Sequence, residues 1–252
     1  MCIDILQNRI SHRHTNQQRH QNISMRVTGT TTMLFACVVF SVCTYARAEA
    51  LSNVPELALR EESSNAGPWF CHGIDCPKFT VVDKKEAYET RAYEATKWAS
   101  TSVQGIKLDE AERIGFMRLF NYISGENMPA SKIPMTAPVK NLITPGQGPF
   151  CGSNFTISFF VPYKYQENTP APTSMDVSLT SEDAVQVYVR SFKGFAKEDK
   201  IVTEAAQLAE ALDNDGVQYD PETYVFAGYD PPFRPVNRHN EIWFFNKPAS
   251  SD

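Results

Sequence analysis

The sequence lacks the short motifs that mark the commonest catalytic sites. It contains no GxSxG nucleophile elbow, no HExxH zinc motif, no P-loop and no GxGxxG dinucleotide fingerprint. Its acidic residues are spread along predicted helices and turns, where a solvated surface is their default role. A free cysteine with a single histidine is a weak basis for a nucleophilic pair. We therefore expect a protein that is not an enzyme.

Histidine is scarce in the part of the chain that carries the predicted strands and helices. Three of the five His lie within the first 20 residues, which leaves only His72 and His239. Sites that need two or three imidazole ligands are therefore nearly excluded. A Cys–His metal site near His72 lacks close ligand spacing, so no metal ligands are predicted.

Basic charge is also short after the first 48 residues. Those residues hold five of the 24 Lys and Arg but only one of the 29 Asp and Glu. The remainder therefore holds 19 basic and 28 acidic side chains, a net charge of −9. A body this acidic repels phosphate backbones, and nucleic acid is not an expected partner.

Long apolar runs are absent except for one near the start. The uncharged stretch Thr30–Ala46 follows an arginine and precedes an A-R-A site that ends at Ala48, a pattern typical of a secretory signal peptide. Cleavage after Ala48 gives a secreted, extracellular chain that begins at Glu49, and translation from Met25 fits the pattern better than translation from Met1. The alternative is an uncleaved signal anchor, but 17 residues are short for a span of about 20. No stable membrane span is expected elsewhere.

Three cysteines remain after the predicted cleavage, which is an odd number. The segment CHGIDC can close a local Cys71–Cys76 bridge in an oxidising compartment, with Gly73 helping the turn. Pairing of Cys151 with either of them is the alternative. The sequon at Asn154 is a glycosylation candidate in a secreted chain, although it opens an apparent strand and its alternative is a sequon that is never used.

The rest of the chain predicts strands, a helix and strands, twice over. In the first half, alternating segments such as KFTVVD and TKWASTSV precede a helix that Asp109 can cap and Gly125 can end. In the second half, AVQVYVRSF precedes a helix from about Lys197 to Asp213, and ETYVFAGY and NEIWFFN follow it. This order indicates an α+β domain with an internal pseudo-repeat.

The two predicted helices differ in their apolar surfaces. The second has one apolar stripe, as expected of a helix that lies on a sheet. The first is apolar over more than half of its circumference, through Ile114, Phe116, Met117, Leu119, Phe120, Tyr122 and Ile123. One sheet face cannot cover them all, so the remainder must meet a flat apolar ligand, a partner or the Pro-rich segment nearby.

Several segments make the chain resemble the SOUL heme-binding protein family. They are YETRAYEATKWASTSV, KIPMTAPV, GPF followed by NFTISFFVP, VYVRSFKGFAKE and YVFAGYDPPFRPVNRHNEIWFF, in family order from about Cys76 to Lys247. The resemblance implies a distorted antiparallel β-barrel with two helices, built from two pseudo-repeated halves. The expected organisation is a leader and signal peptide at 1–48, a loose arm at 49–75, a SOUL domain at 76–248 and a tail at 249–252.

The resemblance also implies a ligand and its site. Family members are associated with heme and other porphyrins, and the ring is expected against the first helix, at Phe116 and Phe120 with Met117 beside them. Arg113 and Arg234 match basic positions proposed to meet the propionates, with plain surface charge as the alternative for each. Ala92 stands where some members carry a His, so axial ligation by histidine is not expected.

The function that follows is a secreted, non-enzymatic carrier or scavenger of heme or a related tetrapyrrole. The alternative is an extracellular interaction protein with a vestigial heme pocket. Ala92 favours this alternative, whereas the apolar and basic residues of the implied site favour the carrier.

Overall fold

The computed structural model describes residues 67–105, 107–146 and 152–247. Its two long helices are α1, Leu108–Ser124, and α2, Glu198–Asn214. The strands in chain order are β1 Phe79–Lys84, β2 Glu89–Tyr93, β3 Thr96–Gly105, β4 Asn127–Met128, β5 Val139–Thr144, β6 Ser153–Phe160, β7 Ala171–Pro172, β8 Ser178–Glu182, β9 Val185–Lys193, β10 Tyr224–Gly228 and β11 His239–Phe245. The predicted leader, most of the predicted arm, Cys151 and the predicted tail lie outside the described residues.

Nine strands form one antiparallel sheet in the order β1-β2-β9-β11-β10-β5-β6-β3-β8. The two sides of the sheet have matching strand orders when they are followed outward from the middle. One side runs β5, β6, β3, β8, and the other runs β10, β11, β9, β2. Each half of the chain supplies three of the four strands on its side, and one further strand of each half, β2 or β8, lies on the other side. The two pseudo-repeated halves predicted from the sequence are therefore confirmed, and neither half completes its side of the sheet alone.

The sheet curls strongly. Lys140 on β5 forms an ion pair with Glu182 on β8, although two strands lie between them. In a flat sheet the two strands would be roughly 14 Å apart, three spacings of about 4.8 Å, which is too far for this contact. The predicted α+β fold with a distorted antiparallel barrel is therefore confirmed as a half-barrel whose edges are β1 and β8.

Both helices pack on one face of the sheet, here called the helix face. α1 lies over β3 and β6 and α2 over β9 and β11. A Cβ added at Gly115 would lie 2.7 Å from the Ile157 side chain, so α1 rests directly on β6 because residue 115 has no side chain. α1 ends at Gly125 as predicted, but Asp109 does not cap it. The cap is Lys107, and Asp109 lies in the first turn, where its charge suits the helix dipole.

The opposite face of the sheet, here called the inner face, is covered at one end by the segment Trp69–Cys76. Phe70 is buried there and its ring stacks on His239 with centroids 4.1 Å apart. Cys71 and Cys76 are joined by a disulfide with an S–S distance of 2.04 Å, which confirms the predicted local bridge. The segment is also tied down through Asp75, whose carbonyl accepts from the Ala137 N–H at 3.0 Å.

A buried polar network lies on the inner face beneath this segment. Glu241 is fully buried, and its two carboxylate oxygens accept four hydrogen bonds of 2.7–2.9 Å from Arg91, His239, Tyr229 and Trp243. Burial raises the pKa of Tyr229, and the Glu241 charge adds to this effect. The network is satisfied at every carboxylate oxygen, as a buried charge requires.

Candidate ligand site beside helix α1

Helix α1 presents an apolar surface that no described element covers. The side chains of Met117 and Phe120 are 49% and 44% exposed. The Phe120 ring is stacked with that of Phe116 at 6.0 Å between centroids, and Phe116 packs edge-on against Phe159 of β6 at 5.2 Å. Met117 and Phe120 of the predicted apolar surplus therefore lie on the surface, whereas Tyr122 is buried and its hydroxyl donates to the Pro170 carbonyl of the Pro-rich segment at 2.7 Å.

This surface lies toward the end of the sheet where β10 leads into β11. Phe159 on β6 is the register partner of Val139 on β5, and Val139 is the partner of Gly228 on β10. The turn 229–238 begins directly after Gly228 and returns the chain to β11. Because register partners lie side by side across a sheet, α1 and this turn stand at the same end of the helix face.

Arg113 belongs to the same surface of α1. It is exposed, and it precedes Phe116, Met117 and Phe120 by three, four and seven residues. Residues at these spacings lie on one side of a helix. The structure thus brings together four of the five residues predicted to contact the ligand.

Arg234, the fifth predicted residue, is held elsewhere. Its Nε forms an ion pair with the buried Asp230 carboxylate at 3.2 Å and donates to the Val236 carbonyl at 3.3 Å, and its Nη1 lies 3.2 Å from Nδ1 of His72. His72 also bonds Asp230 through Nε2 at 2.9 Å and belongs to the disulfide segment that covers the inner face. The described contacts of Arg234 therefore join the turn to that segment, and none of them reaches α1.

Arg238, in the same turn, has different contacts. It is 9% exposed, and its Nη1 and Nη2 donate to the carbonyls of Pro231, Arg234 and Asp230 at 2.7–3.1 Å. Its guanidinium carbon stands 4.7 Å from the ring centroid of Phe195. Among the described residues Arg238 has no ion pair, and its buried Nε has no hydrogen-bond partner. Sequence reasoning missed this residue, because nothing in RPVNRHN separates its two arginines.

A carboxyl of α1, that of Glu112, is hydrogen-bonded to β5 on the helix face. The Asn141 amide donates to Glu112 Oε1 at 3.2 Å, and the Asn141 Oδ1 is buried without a partner. Burial raises the pKa of Glu112, and the negative charge of Asp109 acts in the same direction. The Asn141 bond and the positive charge of Arg238 oppose this rise without cancelling it. Two buried polar atoms among the described residues, Asn141 Oδ1 and Arg238 Nε, have no hydrogen-bond partner.

A pocket opens on the inner face, with a volume of about 340 Å³ including the part open to solvent. Tyr93, Trp98 and Trp243 line it together with the Lys140–Glu182 ion pair. Burial lowers the pKa of Lys140, although Glu182 opposes the shift. The pocket is at the small end of the range for ligand sites, and its three aromatic rings are themselves nearly buried.

Comparison with known proteins places the chain in a family. A family model described as SOUL heme-binding protein matches residues 74–245. The chain belongs to the SOUL heme-binding protein family. The membership expected from the sequence is confirmed.

The curated relatives of this SOUL protein carry matching names. Heme-binding protein 2 of Homo sapiens is 41% identical over 64% of this chain and 78% of the relative. Heme-binding protein 1 of Xenopus laevis is 35% identical over 68% of this chain and 92% of the relative. Among solved structures, the C-terminal domain of EcmrR matches with a TM-score of 0.47 and 11% identity, over 63% of this chain and 96% of that domain.

The histidines of this SOUL protein do not stand at the α1 surface in the part of the chain that the structure describes. His72 is held between Asp230 and Arg234. His239 Nε2 donates to Glu241, and its ring packs against Phe70. Ala92, which stands where some family members carry a His, lies on β2 between Thr80 of β1 and Gln186 of β9, well away from α1.

Two further sequence predictions can be located. Asn154 is half-buried near the start of β6, where it pairs with Gln104 of β3 and Thr144 of β5. The strand expected there is present, and glycosylation of this residue stays a prediction. Neither α1 nor α2 is long and apolar enough to cross a bilayer.

Proposed function

We propose that the protein binds heme or a related tetrapyrrole on the helix face, between α1 and the turn 229–238, as a carrier without catalytic activity. Membership of the SOUL family and relatives named as heme-binding proteins support this ligand class. The observation that carries the proposed location is the exposed apolar surface of Met117 and Phe120, backed by the stacked ring of Phe116.

Each residue of the site has a distinct task in this proposal. Met117 and Phe120 cover one face of the macrocycle, and Phe116 holds Phe120 in place through its contact with Phe159. Arg113, exposed at the same surface, offers its charge to a propionate. An iron atom, when the ring carries one, can take an axial ligand. Both described imidazoles, however, are already hydrogen-bonded to carboxylates, His72 to Asp230 and His239 to Glu241. The affinity is therefore expected to come from apolar contact.

The proposed ligand class is tested by titrating the purified mature protein with hemin and, separately, with iron-free protoporphyrin IX. We expect a saturable change in absorbance and saturable quenching of tryptophan fluorescence, with one ring bound per chain. The affinities for the two ligands are expected to agree within about tenfold, because no imidazole binds the iron. Failure of both to bind contradicts the proposed function. Binding of hemin alone contradicts the apolar mechanism, because coordination would then supply the affinity.

We further propose that the protein is exported from the cell. The apolar run Thr30–Ala46 and the A-R-A site support it, and a disulfide is typical of an oxidising compartment. When the full-length sequence is expressed in secreting cells, N-terminal sequencing of protein from the medium is expected to begin at Glu49. Retention inside the cells with Met1 or Met25 at the N-terminus contradicts export and removes the basis for glycosylation at Asn154.

A further inference from the structure

We infer that Arg238 receives a carboxylate of the bound ligand, so that the site distinguishes a tetrapyrrole with free acid groups from its esters. This inference rests on the proposed function and assigns the acid-binding group within that same site. The ligand feature concerned is a carboxylate on a flat apolar body, of the kind that porphyrin propionates supply.

The charge of Arg238 is the first argument. A buried guanidinium is normally paired with an anion, because burial of an uncompensated charge is costly. Arg238 is 91% buried, yet its three hydrogen bonds end on neutral carbonyls, and no described carboxylate lies within ion-pair distance of it. Its Nε–H is also unbonded. A carboxylate from outside the chain satisfies both requirements at once.

The position of Arg238 is the second argument. The turn that carries Arg238 joins β10 to β11, and Asn141 on β5, the neighbour of β10, donates to Glu112 of α1 at 3.2 Å. Phe195, which the guanidinium contacts, is 53% exposed, and the apolar surface of α1 stands at the same end of the helix face. A ligand that rests on Phe120 therefore has a cation at the edge of its binding surface.

The other arginine of the turn is less suited to the role. Arg234 is already paired with the Asp230 carboxylate and with His72, on the side of the disulfide segment. A guanidinium with a carboxylate partner has less to gain from a second anion. Arg113 remains available, but it is exposed, and an exposed ion pair contributes little.

Glu112 is expected to limit the affinity of Arg238 for a ligand carboxylate. A ligand carboxylate at Arg238 lies close to this carboxyl, and two negative charges at such a distance repel each other. Its replacement by glutamine removes the repulsion and keeps an oxygen that can accept the 3.2 Å bond from Asn141. The substitution Glu112→Gln is thus expected to strengthen binding of an acid and to leave binding of an ester unchanged.

The test compares protoporphyrin IX with its dimethyl ester on the mature chain, by fluorescence titration in one detergent-containing buffer. Wild type is expected to bind the acid about 10- to 100-fold more tightly than the ester, the range of a charge-assisted hydrogen bond. Arg238→Gln is expected to reduce that ratio to at most about fivefold, the part that the exposed Arg113 can supply, by weakening only the acid. The control Arg118→Gln removes an arginine that instead pairs with Asp176 on the other flank of α1, and it is expected to keep the ratio.

The outcomes separate the inference from the proposed function. An acid-to-ester ratio that stays unchanged in Arg238→Gln, or an equal loss for both ligands, overturns the role of Arg238. If Arg238→Gln does not fold, Glu112→Gln decides, and a ratio that fails to rise overturns the inference. Binding of neither ligand to wild type overturns the proposed function itself.

Discussion

Replacement of Glu241 by alanine is expected to lower the free energy of unfolding by about 3–5 kcal/mol, the cost of breaking a buried ion pair from one side. The substitution leaves Arg91 buried with Glu89 as its remaining carboxylate, which Nε and Nη2 reach at 3.1 and 2.9 Å. Tyr229 and Trp243 lose the carboxylate oxygen that accepts their hydrogen bonds in the same step. A loss of this size is a large part of the stability of an ordinary domain.

The measurement is urea unfolding of the mature chain followed by tryptophan fluorescence and circular dichroism. The matched control is Glu94→Ala, which removes a carboxylate from an exposed position next to β2 and is expected to stay within about 0.5 kcal/mol of wild type. Glu241→Gln keeps the shape of the side chain and is expected to fall between the two. Equal stability of Glu241→Ala and Glu94→Ala contradicts a structural role for the network.

The same network predicts a dependence of stability on pH. Burial alone would raise the pKa of Glu241, but the hydrogen bond from His239 and the charge of Arg91 outweigh it, and the pKa lies below the ordinary value of 4.5. The folded state therefore binds this proton less readily than the unfolded chain does. The stabilisation from Glu241 is present above the unfolded pKa and is lost as the pH falls through the folded one. Below about pH 4.5, wild type is expected to lose more stability than Glu241→Gln does.

The strands and helices could be predicted because their local patterns match their surroundings. In α2, the predicted stripe is buried at Ile201, Ala205, Leu208 and Leu212, as expected for a helix lying on one sheet face. The pairing of the strands was not accessible in the same way. The exchange of β2 and β8 between the halves joins segments far apart in sequence, and alternation along a strand does not name its partner.

The arrangement of residues in the candidate site could be predicted from the sequence where it depends on one helix. It could not be predicted where it depends on a turn. Arg113, Phe116, Met117 and Phe120 share a side of α1 because helical spacing alone requires it. The turn 229–238 instead joins Arg234 to Asp230 and the disulfide segment, whereas Arg238 bonds carbonyls of the turn itself. Which arginine pairs with a carboxylate is decided by the backbone path of the turn, for which the sequence offers no periodic signal.

The double substitution Met117→Ala with Phe120→Ala is expected to weaken binding of protoporphyrin IX by roughly 60-fold. The two side chains are about half exposed, so a ligand can cover on the order of 100 Å² of their apolar surface, worth about 2.5 kcal/mol. Because they contribute little to the core, the variant is expected to unfold at nearly the same urea concentration as wild type. Phe116 is kept, since it packs against Phe159 and its loss would also disturb the fold.

A matched control separates this effect from a general loss of apolar surface. Met175 is fully exposed beside Asp176, which pairs with Arg118 on the other flank of α1, and Met175→Ala is expected to bind as wild type does. Wild-type affinity in the Met117 and Phe120 double variant would place the ligand elsewhere, with the inner-face pocket around Trp98 as the next location to test.

The relative size of the effects then identifies what holds the ring. Arg113→Ala removes an exposed charge, and an exposed pair contributes only about 0–1 kcal/mol, or at most roughly fivefold in affinity. Apolar contact is therefore expected to exceed the contribution of this arginine by about tenfold. If Arg113→Ala in the same titration weakens binding more than the double variant does, the charge and not the apolar surface of α1 determines where the ligand lies.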